Sequence, residues 1–290
     1  MIGYRDKLMR IDELLQPSPE FMEDYLATIQ LGKQFCTNKD IAFVGLARNI
    51  DQCLGRNIKL LSSLEQYFNN IDIVIFENDS NDKTKDILLD SKEIYKDKLH
   101  VLSDNYGARH FGSTKDIERT QAFANYRNIC KNYVEAHLSS KHFIIVIDLD
   151  FVDISINGLL HSFGKLSTNH SIKAIAGNSY SLEYLFNYPY KILWNYDCWA
   201  FRHNWWSDLQ NLSTLNNTML WFGLWVLPPG TPMIRVNSAF GGMVVYDTKS
   251  YLSANYEGYD CEHVCFHKNL YKNTDFCLYL NPSQVTLLNE

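Results

Sequence analysis

Read along the chain, apolar and polar positions fall into an alternating pattern of short apolar runs and longer amphipathic stretches. Residues 41–46 (Ile-Ala-Phe-Val-Gly-Leu), 71–76 (Ile-Asp-Ile-Val-Ile-Phe) and 100–102 (His-Val-Leu) are runs of the kind that a strand buried on both faces requires. A fourth run, His142-Phe-Ile-Ile-Val-Ile-Asp-Leu-Asp-Phe151, ends in two carboxylates. Between the runs, the spacing predicts helices from about residue 51 to 68, up to residue 98, and over residues 114–138. Strand and helix in strict alternation predict a parallel α/β sheet whose right-handed crossovers bring every strand's carboxyl end to one rim.

Before this block, residues 5–35 read as one or two helices around Pro17-Ser-Pro19, a packing layer without chemistry. After it the pattern is less regular. Residues 174–180 predict another strand. Residues 236–246 predict a strand pair broken by Gly241-Gly242, where a ligand or a bulge brings backbone close. Residues 259–267 open a last helix, and residues 278–282 close in an extended segment. The expected organisation is a helical segment 1–40 packed on one domain, 41–290. That domain divides into a nucleotide-binding half, 41–155, and an acceptor-binding half, 156–290.

Composition narrows the function. A chain of 290 residues, 46% hydrophobic, is long enough for one large core. A net charge of −6 with no long basic run argues against nucleic acid as a partner. The 18 Tyr and 6 Trp suit stacking on sugar rings or bases as well as core packing. Met1 leads into a charged amphipathic segment, not a signal peptide, and the longest apolar stretch, 219–227, is too short to span a membrane. Seven scattered cysteines point to reduced thiols and a cytoplasmic protein, with contact at the membrane surface left open.

The polar residues fall on the predicted rim: Arg48 and Asn49 after the first strand, Glu77 to Asp82 after the second, Asp104, Asn105 and Arg109 after the third, and Asp148 and Asp150 after the fourth, with Ala47 and Leu149 beside them as further donor-contacting positions. Two carboxylates one residue apart could be solvated loop acids. After a buried strand, they instead suit a hard divalent cation shared with phosphate oxygens. Helix capping would use one residue of the Glu77 run, not six. Cys261-Glu-His-Val-Cys-Phe-His267 lacks the second ligand pair of a structural zinc site.

With these residues in place the chain resembles a GT-A glycosyltransferase. Asp148 and Asp150 stand where that fold keeps its D-x-D metal motif. Glu77-Asn-Asp-Ser-Asn-Asp-Lys-Thr84 is similar to the acidic run after the second strand of family 2 enzymes, departing at its first three positions. Ala124-Asn-Tyr-Arg-Asn128 resembles the A-R-N run before the metal motif. In the second half, Asn195-Tyr-Asp-Cys-Trp-Ala-Phe-Arg202, Ser238-Ala-Phe-Gly-Gly242 and Cys261-Glu-His263 are similar to segments of the fungal capsule mannosyltransferase group and its bacterial relatives.

The resemblance implies an α/β GT-A fold with a central, mostly parallel sheet flanked by helices. It also implies a UDP- or GDP-sugar donor, Mn2+ or Mg2+ at Asp148 and Asp150, and a glycan, glycolipid or glycoprotein acceptor. Glu77, Asn78 and Asp79 would contact base or ribose. Arg109, Arg119, Arg127 and Asn128 would lie near ribose or phosphates. Glu262 would be the general base, with Asp260 and Asp197 in reserve, and His267 or His263 a third metal ligand. Asn178, Arg202, Ser238, Gly241 and Gly242 would face the substrate. A rival reading makes Asp148 the nucleophile of a magnesium-dependent phosphohydrolase of the haloacid dehalogenase type, but no later acidic pair supports it. A non-catalytic sugar-binding protein is the third class.

Overall fold

A computed structural model describes residues 10–111, 116–183, 191–203, 205, 222–272 and 275–289. Strands β1 (Asp40–Ala47), β2 (Asn70–Asn78), β3 (Leu99–Asp104) and β4 (Phe143–Ile147) alternate with helices α3 (Asp51–Ser63), α4 (Thr84–Tyr95) and α5 (Ile117–His137). Helices α1 (Ile11–Leu14) and α2 (Met22–Cys36) precede them. The second half adds β5 (Asp153–Ile154), α6 (Ile156–Thr168), β6 (Ala174–Glu183), β7 (Ile192–Asn195), β8 (Ile234–Val236) and β9 (Met243–Asp247). It closes with α7 (Thr248–Leu252), α8 (Glu262–Leu270) and β10 (Leu278–Asn289). Of the helix predicted over 114–138, residues 114 and 115 lie outside the described residues, as do residues 5–9 of the first predicted helix.

One sheet runs in the order β3-β2-β1-β4-β9-β6-β10-β5, with β7 on β6 and β8 on β10. The β3-β2-β1-β4 half is wholly parallel. Beyond β4 the sheet is mixed: β9 is antiparallel to both β4 and β6, and β10 is parallel to β6. Following these pairings, β1, β2, β3, β4, β6 and β10 share one direction, so parallel strands dominate. The predicted pair over 236–246 is two strands that never meet: β8 pairs with β10, and β9 with β4 and β6.

Crossovers that move outward from β1 through β2 to β3 place α3 and α4 on one face, and the return from β3 to β4 places α5 on the other. Leu54, Ile58, Leu61 and Leu88 accordingly pack with Phe43, Ile73 and Ile145 in one core, while Val134 of α5 and Val264 of α8 pack with Val44, Val74 and Val146 in the second. Helices α2 and α6 cross closely because a Cβ at Gly32 or Gly164 would fall on the Leu160 or Thr28 carbonyl. No helix among the described residues is long and apolar enough to cross a membrane.

Candidate active site

The four parallel strands end on one rim, and β4 delivers Asp148-Leu149-Asp150 to it. Strand alternation continues past the end of β4. Leu149 and Phe151 are buried in the core, Asp148 is about a third exposed at its side chain (35%), and Asp150 is exposed. Two features fix this turn. The Asp148 amide donates to the Gly242 carbonyl at 3.0 Å. The Asn57 amide group, fully buried on α3, donates to the Leu149 and Phe151 carbonyls at 2.8 and 2.7 Å, and Arg56 adds a bond to Phe151. Asn57 and Arg56 escape a sequence reading because their partners lie more than ninety residues away. A lone polar residue on the apolar stripe of α3 is the only trace.

Behind the acids sits Arg127. Its Nε donates to Glu262 Oε1 at 3.0 Å, and its guanidinium approaches Asp148 Oδ1 at 3.6 Å. Arg127 and Glu262 are both nearly inaccessible, so this is a buried ion pair beneath the site and not the phosphate contact expected of Arg127. Burial raises the proton affinity of Asp148; Asp150, Asp197 and Glu262 raise it further, and Arg127 opposes them. Asp150 moves the same way through desolvation on the crowded rim. Asp197 accepts from the Gly241 amide at 2.9 Å and the Ala200 amide at 3.4 Å. Burial still raises its proton affinity. Asp148 thus lies among three further carboxylates, Asp150, Asp197 and Glu262, with the Arg127 guanidinium beside it.

The Glu77 run does different work from that expected. Glu77 is fully buried; its oxygens accept from the Ser80 amide (2.8 Å) and the Ser103 hydroxyl (2.6 Å), so it cannot reach a base or ribose. Asn78, also buried, donates to Asp79 and Tyr126. Asp79 accepts from the Gly107 and Ala108 amides, and Arg48 donates to the Ala108 and Arg109 carbonyls. Ser80, Asp82 and Thr84 accept from the amides of Asn49, Asp51 and Ile50. Asn49 and Asp79 adopt left-handed backbone, with φ of 54° and 53°, so the β1 and β2 ends turn sharply and expose amides that only side chains can satisfy. The run frames the rim; Ala47, buried at the end of β1, belongs to the same frame.

Other expectations resolve in the same way. Asn128 makes a two-way amide bond with the Tyr256 backbone (2.9 and 2.9 Å), which occupies it away from any ribose. His267 is not a metal ligand: its Nδ1 pairs with Ser238 Oγ at 2.9 Å and its Nε2 with Tyr246 OH at 2.7 Å, and burial drives its pKa down to about 3. His263 is buried, stacks on Phe240 at 3.8 Å near the Arg127 cation and leaves both ring nitrogens without a hydrogen-bond partner, but it does not group with Asp148 and Asp150 into a three-ligand set among the described residues. One of the two was expected as a third metal ligand; the face of α8 that carries them is buried, and Lys268 and Asn269 are its part-exposed residues. Ser238, fully buried, also bonds the Ala200 carbonyl, so it does not face substrate. Arg202 pairs with Asp260 at 3.0 Å and with the Trp199 and Phe201 carbonyls, which ties up both of those candidates.

Gly241 and Gly242, at φ 59° and 70°, approach Gly177 and Thr286 of the chain itself and not a ligand; a Cβ at Gly241 would lie 1.9 Å from the Gly177 carbonyl. Asn178 is buried beside them, with its Nδ2 lacking a partner. Arg109 pairs with Asp116 and Glu118 at 3.4 and 2.8 Å. Arg119 lies over Phe123 and Trp199, at 4.4 and 5.3 Å, with no carboxylate partner among the described residues. Tyr196, half exposed, feels the charges of Asp197, Asp148 and Asp150. Of the aromatic stretch 180–225, residues 184–190, 204 and 206–221 lie outside the described residues.

A divalent cation, implied by the D-x-D resemblance, fits this arrangement. Asp148 and Asp150 offer hard oxygen donors whose raised proton affinity marks an unmet need for positive charge. Among the described residues no third His, Cys, Asp or Glu completes a cage. Two carboxylates with the rest of the sphere left to water and phosphates is how magnesium-type ions bind at phosphate sites.

No family model and no curated protein matches the chain. Solved structures do. GalNAc-T7 with UDP, GalNAc and Mn2+ superposes with a TM-score of 0.54 at 14% identity, covering 96% of this chain and 55% of that one. Glucosyl-3-phosphoglycerate synthase from Mycobacterium tuberculosis, in complex with Mn2+, UDP and phosphoglyceric acid, gives 0.48 at 14% identity, over 90% of this chain and 72% of that one. TarS 1-349 of S. aureus with UDP-GlcNAc gives 0.49 at 12% identity, over 87% and 58%. This chain thus spans little more than half of the GalNAc-T7 chain. At such identities the likeness speaks for the fold alone: a mixed α/β GT-A arrangement with a central, mostly parallel sheet flanked by helices.

Proposed function

We propose that this chain is a metal-dependent glycosyltransferase that moves a sugar from a nucleoside-diphosphate donor, a UDP- or GDP-sugar, to a hydroxyl of a glycan, glycolipid or glycoprotein acceptor. The observation that carries this reading is the Asp148 and Asp150 pair at the end of β4, with the proton affinity of both raised, on the rim of a GT-A sheet. Both would hold Mn2+ or Mg2+. When bound, that ion supplies Lewis-acid stabilisation of the leaving diphosphate.

The chain's own groups complete the chemistry. Arg119, backed by Phe123 and Trp199, can add a guanidinium to the phosphates. Arg127 holds Asp148 and Glu262 from behind and stays ionised between them. Among the three candidate bases, Glu262 is paired to Arg127 and Asp260 to Arg202, so each is already engaged by a guanidinium. Asp197 is half-buried, anchored by two amides and raised in proton affinity, which suits the acceptor-side base of an inverting transfer. Tyr196 beside it offers a ring face for a sugar. The transfer of a hexosyl or pentosyl group, in the cytoplasm or at the membrane surface, belongs to this reading, as does the resemblance of the second half to the capsule mannosyltransferase group.

The test is calorimetric titration of the full chain with UDP and GDP in Mn2+, in Mg2+ and in EDTA, beside its Asp150→Asn variant. Binding of one nucleotide that is lost in EDTA and in the variant is the expected result. Turnover of an aryl phosphate without nucleotide binding would replace the proposal with the phosphohydrolase reading.

A further inference from the structure

The residues nominated from sequence to hold the donor's base, Glu77, Asn78 and Asp79, are spent on the frame, so the frame itself indicates what receives the base. Asp79 fixes the Gly107 and Ala108 amides at 2.8 and 3.2 Å. Arg48 fixes the Ala108 and Arg109 carbonyls at 2.7 and 3.0 Å, and Lys85 fixes Asn105 at 2.6 Å. Five residues after β3 are thereby held on at least three sides, with Gly107 at φ 61° making the turn. What this clamp presents is Tyr106.

The Tyr106 ring is 50% exposed. One side is backed by a buried aromatic stack: Tyr126 lies 6.2 Å away at 13°, and Phe76 lies 6.3 Å away. Phe76 and Tyr126 stack on each other at 5.2 Å, and the Asn78 amide bonds the Tyr126 hydroxyl. A large apolar ring held half in water by a purpose-fixed loop is a poor use of apolar surface unless something flat covers it. Its position supplies the occupant. β3 is three strands from β4, and neighbouring strands lie about 4.8 Å apart, so the β3 and β4 ends stand on the order of 14 Å apart along the rim. That is the span of an extended nucleoside diphosphate from base to terminal phosphate.

We infer that Tyr106 is the stacking platform for the donor's nucleobase, with Asp79 and Arg48 as positioning residues that act through its loop. This rests on the donor-site reading above. Stacking accepts any base, so the platform contributes affinity and leaves the choice between uracil and guanine to base edges.

Wild type, Tyr106→Phe and Tyr106→Ala are titrated with UDP and GDP in Mn2+, and with inorganic pyrophosphate in Mn2+ as a probe without a base. Tyr106→Ala weakens the preferred nucleotide by roughly ten- to hundred-fold, the loss of one ring under one base. Tyr106→Phe stays within a few-fold of wild type, and pyrophosphate affinity is the same in all three. Wild-type nucleotide binding with no loss in Tyr106→Ala overturns the platform while leaving the transferase reading standing. An equal loss of pyrophosphate shows a merely structural ring and overturns it too. A wild type that binds pyrophosphate as well as it binds UDP and GDP, or that binds none of them, overturns both.

Discussion

Replacing Arg127 by Met tests whether one cation holds the site together. The side chain is 6% exposed, and its guanidinium meets Glu262 at 3.0 Å and Asp148 at 3.6 Å. After substitution, Glu262, 4% exposed, is left among the described residues with weak or uncharged neighbours: the Cys261 thiol at 3.8 Å and His263 Nε2 at 3.6 Å, on a ring that burial holds neutral. Removing one member of a buried pair costs about 3–5 kcal/mol, because an uncompensated charge stays behind. Against a typical total of about 5–15 kcal/mol that is a large share. Urea unfolding reads it as a lower midpoint at constant slope. The double variant Arg127→Met with Glu262→Gln removes the stranded charge and recovers most of the loss, a coupling that a double-mutant cycle isolates. A loss below about 1 kcal/mol in the single variant, the scale of a surface pair, would refute the argument, as would single and double losses that simply add.

Three further outcomes follow from the same geometry. Asp148, Asp150 and Asp197 bind protons more tightly folded than unfolded, so the stability they lend is present below their ordinary range near pH 4 and is lost as pH rises through the raised values. Protons and Mn2+ compete for Asp148 and Asp150, so the rise in melting temperature with Mn2+ is larger at pH 8 than at pH 5.5 and vanishes in Asp150→Asn; an equal rise at both pH values contradicts this. Gly241→Ala costs about 2–5 kcal/mol, the sum of left-handed strain and overpacking against Gly177, whereas Gly107→Ala, with open space at its Cβ, costs only about 1–2 kcal/mol; equal urea midpoints for the two would defeat the packing account. Asn57→Ala leaves the fold in place and lowers Mn2+ affinity by roughly 10- to 100-fold, as loss of a group behind the ligands does, and unchanged affinity by calorimetry removes its positioning role.

What could be read from the sequence follows from how local each cause is. β1, β2 and β4 are legible because a strand buried on both faces must be apolar at every position, and Asp148 and Asp150 stand out because they interrupt that rule at its end. The acids of the Glu77 run have a backbone cause: two neighbouring turns, at Asn49 and Asp79, leave amides unpaired, and the acids and hydroxyls serve them. Residue types cannot distinguish an acid that binds a ligand from one that binds a turn. His263 and His267 share one face of α8, where their rings stack at 6.4 Å, but that face is buried, and residue types alone do not tell a buried histidine from a ligating one. Asn57 and Tyr106 carry no local signal, because their partners are brought from distant parts of the chain.

The crowding of acids explains why the frame is built as it is. Asp148 feels the like charges of Asp150, Asp197 and Glu262 against the guanidinium of Arg127, an arrangement that repels itself in the absence of further positive charge. Side-chain cations would relieve the repulsion permanently and fill the space a donor needs; among the described residues Arg127 does so, from beneath. The remaining restraint comes from neutral groups: the Gly242 carbonyl on the Asp148 amide, the Gly241 and Ala200 amides on Asp197, and the Asn57 amide on the carbonyls that flank Asp150. Such dipoles hold each acid in place without discharging it. On the proposed reading the rim stays short of positive charge until a cation arrives, and that shortage would become affinity for a divalent ion carrying the donor's diphosphate.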